Sequence, residues 1–233
     1  MKKKLLLIMI IAAYGLYADG ESMKKDKLEI YRKRRNLKES PEPVGKVHKS
    51  RGKKLLYVIQ KHAARSLHYD VRLEIDGVLV SWAVPKGPSM NPQQKRLAVR
   101  TDDHPMEYAK FEGIIPEGSY GAGTVMVWDI GKYRNIKTDK QGKLVPMSEC
   151  LKQGSIEVFL YGKKLEGGFA FIKTHLAGGE QWLMIKMRDE YADARLNPVS
   201  SQQESALTDR TMAEIREDEG KRTRKRKVPP CHY

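Results

Sequence analysis

Gln60-Lys61-His62-Ala63-Ala64-Arg65-Ser66-Leu67-His68-Tyr69-Asp70-Val71-Arg72-Leu73-Glu74 is the stretch on which the reading of this chain turns. From Leu67 onward apolar and polar residues alternate without a break: Leu67, Tyr69, Val71, Leu73 and Ile75 against His68, Asp70, Arg72 and Glu74. Successive strand side chains point to opposite faces, so a period of two sets the first group on a core and the second group together on the other face. His62 lies just upstream, close enough to turn back toward His68. Two imidazoles and a carboxylate make a three-ligand site for a divalent metal, with open positions for water or substrate. Arg72, next on that face, suits a phosphate gripped through two parallel hydrogen bonds. The competing reading is an ordinary solvated strand face. Asp is depleted in strands, and a His and an Asp two apart weigh against it.

Working outward, residues 55–59, 67–75, 78–84, 96–100, 124–129, 155–160, 169–173 and 182–187 all have strand length and composition. Asp76-Gly77 between the second and third is a tight hairpin signal. Gly131, Gly142, Gly162 and Gly167-Gly168 punctuate the remainder. Some eight short strands with few long helical patterns favour a barrel or sandwich over an α/β sheet. The expected fold is all-β: a closed or nearly closed barrel of about eight strands, with short peripheral helices and charged N- and C-terminal arms. Gly118-Ser119-Tyr120-Gly121-Ala122-Gly123 superficially resembles a nucleotide-cradling loop, but it leads into a strand rather than a helix whose N-terminus could hold a pyrophosphate. A tight turn at a barrel rim is the better account. Trp82, Trp128 and Trp182 read as core.

The chain has 233 residues and 40% hydrophobic content, enough for a real core. Its formal net charge of +15 and pI near 9.7 point to a polyanionic partner, nucleic acid or an anionic membrane surface. Cys150 and Cys231 make neither a Cys-rich zinc module nor a disulfide framework. Residues 1–22 read either as a secretory leader, basic then apolar and too short to span a membrane, or as a mis-assigned start upstream of Met23. The first reading implies export, the second a cytoplasmic or nucleoid location. Residues 23–54 form a basic arm, broken by Pro41 and Pro43, that either lies on a surface or stays solvated. The barrel is expected over 55–192. Over 193–220 the chain is polar, with one short helix spanning Leu207, Met212 and Ile215. Residues 221–233 read as a basic disordered tail, six of the seven residues 221–227 being cationic.

The chain resembles the 3′-phosphoesterase domain found at the N-terminus of bacterial ATP-dependent DNA ligase D and in stand-alone form elsewhere. The resemblance is carried by the 60–74 stretch and by Ser81-Trp82-Ala83-Val84-Pro85-Lys86-Gly87-Pro88. It continues in Lys95-Arg96-Leu97-Ala98-Val99, Asp103-His104-Pro105-Met106-Glu107-Tyr108, Phe111-Glu112-Gly113 and the run from Pro116 to Val125. It ends in Trp182-Leu183-Met184-Ile185-Lys186 and Arg188-Asp189-Glu190-Tyr191-Ala192, spanning roughly 27–217 in order. It implies a manganese-preferring enzyme, other divalent transition metals being alternatives, that removes a terminal ribonucleoside from DNA 3′ ends and hydrolyses the remaining 3′-phosphate to a hydroxyl. By the same resemblance His62, His68 and Asp70 hold the metal. Arg72 and His104 contact the phosphate, Tyr108 stands near them, and Lys86 and Arg96 fall on basic positions of the site. Arg35 and Glu42 match positions tied to diesterase activity, where Asn36 replaces the family's Asp.

Chemically, the expectation is that the cation and Arg72 strip charge from the phosphate, that water acidified by the cation attacks, and that His104 neutralises phosphoryl oxygens or protonates the leaving 3′-oxygen. The expected partners are DNA 3′ ends and, in trans, a ligase and end-joining proteins, with no membrane. Two other readings compete: a non-catalytic nucleic-acid-binding barrel held to DNA by its basic arm and tail, and, with a genuine leader, an exported nucleic-acid phosphoesterase.

Overall fold

The structure, a computed structural model, describes residues 26–48, 55–175 and 180–227. The leader or start-site reading of residues 1–22, and Cys231, lie outside these. Nine strands make one antiparallel sheet: β1 (Leu55–Ala63), β2 (Leu67–Ile75), β3 (Val78–Val84), β4 (Lys95–Arg100), β5 (Gly113–Ile115), β6 (Gly123–Asn135), β7 (Ser155–Gly162), β8 (Glu166–Lys173) and β9 (Gln181–Lys186). Their order is β1-β2-β3-β4-β9-β8-β7-β6, and β1 pairs back onto β6. This closes eight strands into a barrel, with β5 added beside the first residues of β6. Closure leaves each of the eight with at least two partners, β6 having three, so the barrel itself presents no unpaired edge strand.

Alternation does what the sequence expects from Tyr69 onward; Leu67, expected on the core face, is 51% exposed at the start of β2, beyond the packed interior. Tyr69, Val71, Leu73 and Ile75 of β2 join Tyr57, Ile59, Val80, Trp82, Trp128, Phe169, Phe171 and Trp182 in one buried interior. Each such side chain contributes roughly 1.5–3 kcal/mol on full burial. At Asp76-Gly77 both residues have positive φ, 49° and 82°. This is the backbone a two-residue primed turn requires, and it pins Ile75 opposite Val78.

The other face of β1, β2 and β3 is not solvated. Helix α1 (Glu29–Lys33) and the 3₁₀ turn Met106–Lys110 pack over it. Tyr31, Val58, Leu79, Tyr108, Ala109 and Val127 form a second buried cluster there. Of the two readings of the basic arm, the structure shows residues 26–48 folded onto the barrel.

Four local expectations are corrected. β1 and β6 run to Ala63 and Asn135, past their expected ends at 59 and 129. β5, three residues long, was not expected. Leu207 lies outside the C-terminal helix, because α4 (Met212–Lys227) starts where Thr211 and Glu214 cap each other. There the Glu214 N–H donates to Thr211 Oγ1 (3.3 Å) and the Thr211 N–H to Glu214 Oε2 (2.7 Å). Residues 221–227, expected in a disordered tail, belong to that helix. The remaining helices are α2 (Met147–Gln153) and α3 (Pro198–Ser201). No helix among the described residues is long and apolar enough to cross a membrane.

Candidate metal and phosphate site

The β1–β2 hairpin assembles the centre of the site by register alone. His62 stands directly opposite His68, and Gln60 opposite Asp70. His62 therefore sits on the paired strand rather than on a returning loop. Across β2–β3, Arg72 faces Ser81 and Asp70 faces the small Ala83. His104 arrives through an isolated bridge onto β3, its N–H and C=O pairing with Leu79 at 3.0 and 2.8 Å. His62, His68, Asp70, Arg72, Ala83 and His104 line one cavity of about 760 Å³, together with residues 118–122 and Arg35 of the arm.

At its floor, one ligand atom from each of His62, His68 and Asp70 lies within 4.8 Å of the others. His62 Nδ1 is 3.4 Å and His68 Nε2 3.7 Å from the Asp70 carboxylate. His68 Nδ1 is engaged by the Ser66 carbonyl at 2.9 Å. That contact makes Nδ1 the protonated nitrogen and leaves Nε2 with a free lone pair. His62 Nε2 is buried with no hydrogen-bond partner. An orphaned imidazole nitrogen beside a second imidazole and an ionised carboxylate is the donor set of a divalent transition-metal centre, so these residues fit the expected ion. Burial raises the Asp70 pKa, but the Arg72 guanidinium and the two imidazoles outweigh it and hold the carboxyl well below the usual range.

Arg72 is fixed at every edge. Its Nε donates to Gln60 Oε1 (2.7 Å), Nη1 to Ser81 Oγ (3.0 Å) and Nη2 to Asp70 Oδ2 (3.1 Å). Gln60 is itself held by the carbonyls of Tyr108 and Phe111, each at 3.0 Å. Arg35 donates from Nε to Glu42 Oε1 (3.0 Å) and stacks on Tyr31 at 4.1 Å. Both guanidiniums converge on His104: Arg35 Nη2 at 3.1 Å from Nε2, Arg72 Nη1 at 2.9 Å from Nδ1. A neutral imidazole accepts at one nitrogen only. Two arginines facing one ring thus leave N–H capacity that an anion's oxygens would take up. Burial, then Arg72 and Arg35, push the His104 pKa well below its ordinary value, so without an anion the ring is neutral. Tyr108 closes the back, its ring 4.7 Å from that of His104; burial raises its phenol well above the usual range.

His62, His68, Asp70, Arg72, His104, Tyr108 and Arg35 are therefore brought together. Lys86 and Arg96 are not: Lys86 is exposed past the end of β3, Arg96 lies on β4, and neither lines the cavity. Glu42, expected among the phosphate-binding residues, does not line the cavity; it is buried against Arg35 and holds that guanidinium in place. Gln60, Ser81, Asp102 and Tyr120 had no expected role. The first two were within reach of the sequence, since the Asp76-Gly77 turn fixes Ser81 opposite Arg72 and Gln60 shares the parity of His62.

Residues 60–173 match the family model described as the DNA Ligase D 3′-phosphoesterase domain. The chain is 42% identical over 189 residues to the multifunctional non-homologous end joining protein LigD of Pseudomonas aeruginosa, covering 79% of this chain and 22% of that protein. It is 44% identical over 172 residues to its counterpart in Mycolicibacterium smegmatis (74% and 22%). To the multifunctional non-homologous end joining DNA repair protein LigD of Mycobacterium tuberculosis it is 41% identical over 172 residues (74% and 21%). The chain spans about a fifth of the length of these relatives.

Proposed function

Residues 60–173 belong to the DNA ligase D 3′-phosphoesterase domain family, and from that premise we propose that the protein is a divalent-metal-dependent phosphoesterase that converts DNA 3′-phosphate ends to 3′-hydroxyls for repair by end joining. The observation that carries this is the shared cavity: a His62–His68–Asp70 donor set and two fixed guanidiniums, those of Arg72 and Arg35, line it together. A phosphate monoester dianion repels an incoming nucleophile until its charge is compensated.

His62, His68 and Asp70 would hold manganese or a related ion, which when bound supplies Lewis-acid charge neutralisation and acidifies water. Arg72 binds the phosphoryl oxygens from a direction set by Gln60, Ser81 and Asp70. Arg35 covers them from the arm. The dianion reverses the field at His104: the two guanidiniums that keep the free ring neutral are compensated, and the imidazole gains a proton as phosphate arrives. It then donates to a phosphoryl oxygen or to the departing 3′-oxygen. Removal of a 3′-terminal ribonucleoside is the second activity of this reading, with Arg35 and Glu42 serving it. Asn36, exposed beside Arg35, weakens it relative to phosphate removal.

The test is a primer–template carrying a 3′-phosphate, incubated with manganese, magnesium, zinc or cobalt and resolved by length and end group. A 3′-hydroxyl product that requires metal, and disappears in His68→Ala and Asp70→Asn variants of native circular dichroism, is expected. Inert substrate with every metal, alongside tight DNA binding, would replace the enzyme with a non-catalytic binding barrel.

A further inference from the structure

The cavity has a second feature that the chemistry at its floor does not use. Residues 116–122 form two successive tight turns, closed by Ser119 N–H to Pro116 C=O (3.2 Å) and Ala122 N–H to Ser119 C=O (3.1 Å). Each has a glycine at its third position with positive φ, Gly118 at 81° and Gly121 at 77°. A side chain there meets no crowding, with nothing within 4 Å of a Cβ at Gly118, so the glycines serve the backbone conformation. What the turns set in place is Tyr120, on the cavity wall facing the arm. Tyr120 is 47% exposed, whereas Tyr108, the other tyrosine lining the cavity, is 2% exposed.

A large aromatic ring left half open at the mouth of a polar cavity forgoes burial worth having. It is also not loose. Arg34 Nη1 donates to its hydroxyl at 3.3 Å, and the guanidiniums of Arg34 and Arg35 lie 5.3 Å from the ring centroid. Arg34 is in turn held by Asp102 at 2.9 Å. The ring is therefore fixed from both the rim loop and the arm, electron-rich, and on the same cavity wall system as the groups that would grip the phosphate. A 3′-phosphate in that cavity brings with it a sugar and one flat base that must lie at the mouth.

We propose that Tyr120 is the stacking platform for the base of the 3′-terminal nucleotide, so that the site recognises a base-bearing end and not phosphate alone. This rests on the phosphoesterase reading and deepens it. Base–aromatic stacking is tolerant of base identity, and truncating such a platform weakens binding by about tenfold. Tyr120 is a specificity residue that meets the base and not the phosphate, so the change falls on KM.

The experiment compares two oligonucleotides identical except at the end: one with a 3′-phosphorylated thymidine, one with a 3′-phosphorylated abasic (tetrahydrofuran) residue. Wild type is compared with Tyr120→Ala, Tyr120→Leu and Tyr120→Phe. The expected result is a KM about tenfold higher for Tyr120→Ala on the thymidine end with kcat retained, no change on the abasic end, and recovery in Tyr120→Phe. Equal effects on both ends, or recovery by leucine as full as by phenylalanine, would overturn the platform. If wild type turns over neither oligonucleotide, the phosphoesterase reading fails. The platform is then decided by fluorescence anisotropy with the same two ends, where loss of thymidine preference in Tyr120→Ala supports it and an unchanged preference overturns it.

Discussion

His104 shows how one residue's surroundings set its chemistry. It is 4% exposed and faces two guanidiniums, so its folded pKa lies well below the ordinary 6.5. The unfolded chain therefore binds a proton that the folded chain refuses as pH falls through about 6.5. Above that value both states are neutral and the residue contributes nothing to pH dependence; below it, stability is lost progressively until the folded pKa is reached. With metal and phosphate absent, wild type should lose about 1 kcal/mol more than His104→Gln between pH 7 and 5.5, read from urea midpoints. Identical pH profiles for the two proteins would show that the ring is not held neutral. The sequence made His104 visible only through family resemblance, since a histidine before a proline in a loop carries no signal of its own. Its two guanidinium neighbours come from positions 32 and 69 residues away in sequence. That convergence is tertiary, and no local period encodes it.

The hairpins are the elements that make the site, and they were the most legible part of the chain. Period-two alternation in β2 and the Asp76-Gly77 turn together fix which residues share a face and which stand opposite. The parity of His68, Asp70 and Arg72 followed directly. Two things did not follow. Alternation separates two faces but does not say which is wet, and here both are covered, one by the barrel interior and the other by the arm and 3₁₀ turn. Short β5 carries too few residues for any period, and α4 excludes Leu207 because the Thr211–Glu214 cap, not the apolar spacing of Leu207, Met212 and Ile215, sets its first turn. The hairpin turn also docks the arm: the His48 N–H donates to the Gly77 carbonyl at 3.0 Å. A Cβ at Gly77 would stand 1.5 Å from the His48 carbonyl oxygen, at a φ of 82°. Gly77→Ala should therefore cost about 1–3 kcal/mol through backbone strain and arm displacement. The check is chemical denaturation together with limited proteolysis. An arm no more sensitive to protease than in wild type would separate hairpin strain from arm docking.

At the scale of the whole molecule, charge and cavity act over different ranges. The net charge of +15 is a property of the chain, whereas the cavity wall adds Arg35, Arg65 and Arg72 at one place beside a single carboxylate pair, Asp70 and Asp102. Long-range attraction brings a polyanion to the protein and is screened by salt; the buried guanidiniums of Arg35 and Arg72 act within hydrogen-bond distance and are screened far less. The two ranges separate experimentally by substrate length. For a 3′-phosphorylated duplex, each neutralised phosphate contributes a slope of about −0.9 in log affinity against log salt, so about four contacts cost about 150-fold between about 50 and 200 mM. A nucleoside 3′-monophosphate reaches the cavity but offers no further phosphates to the cations outside it, and its KM should change only a few-fold over the same range. Measuring KM for both ligands across a salt series tests the division. Parallel slopes would place the excess positive charge outside the substrate path and leave the cavity as the whole of the recognition, whereas divergent slopes assign that charge to holding the DNA that leads up to the end.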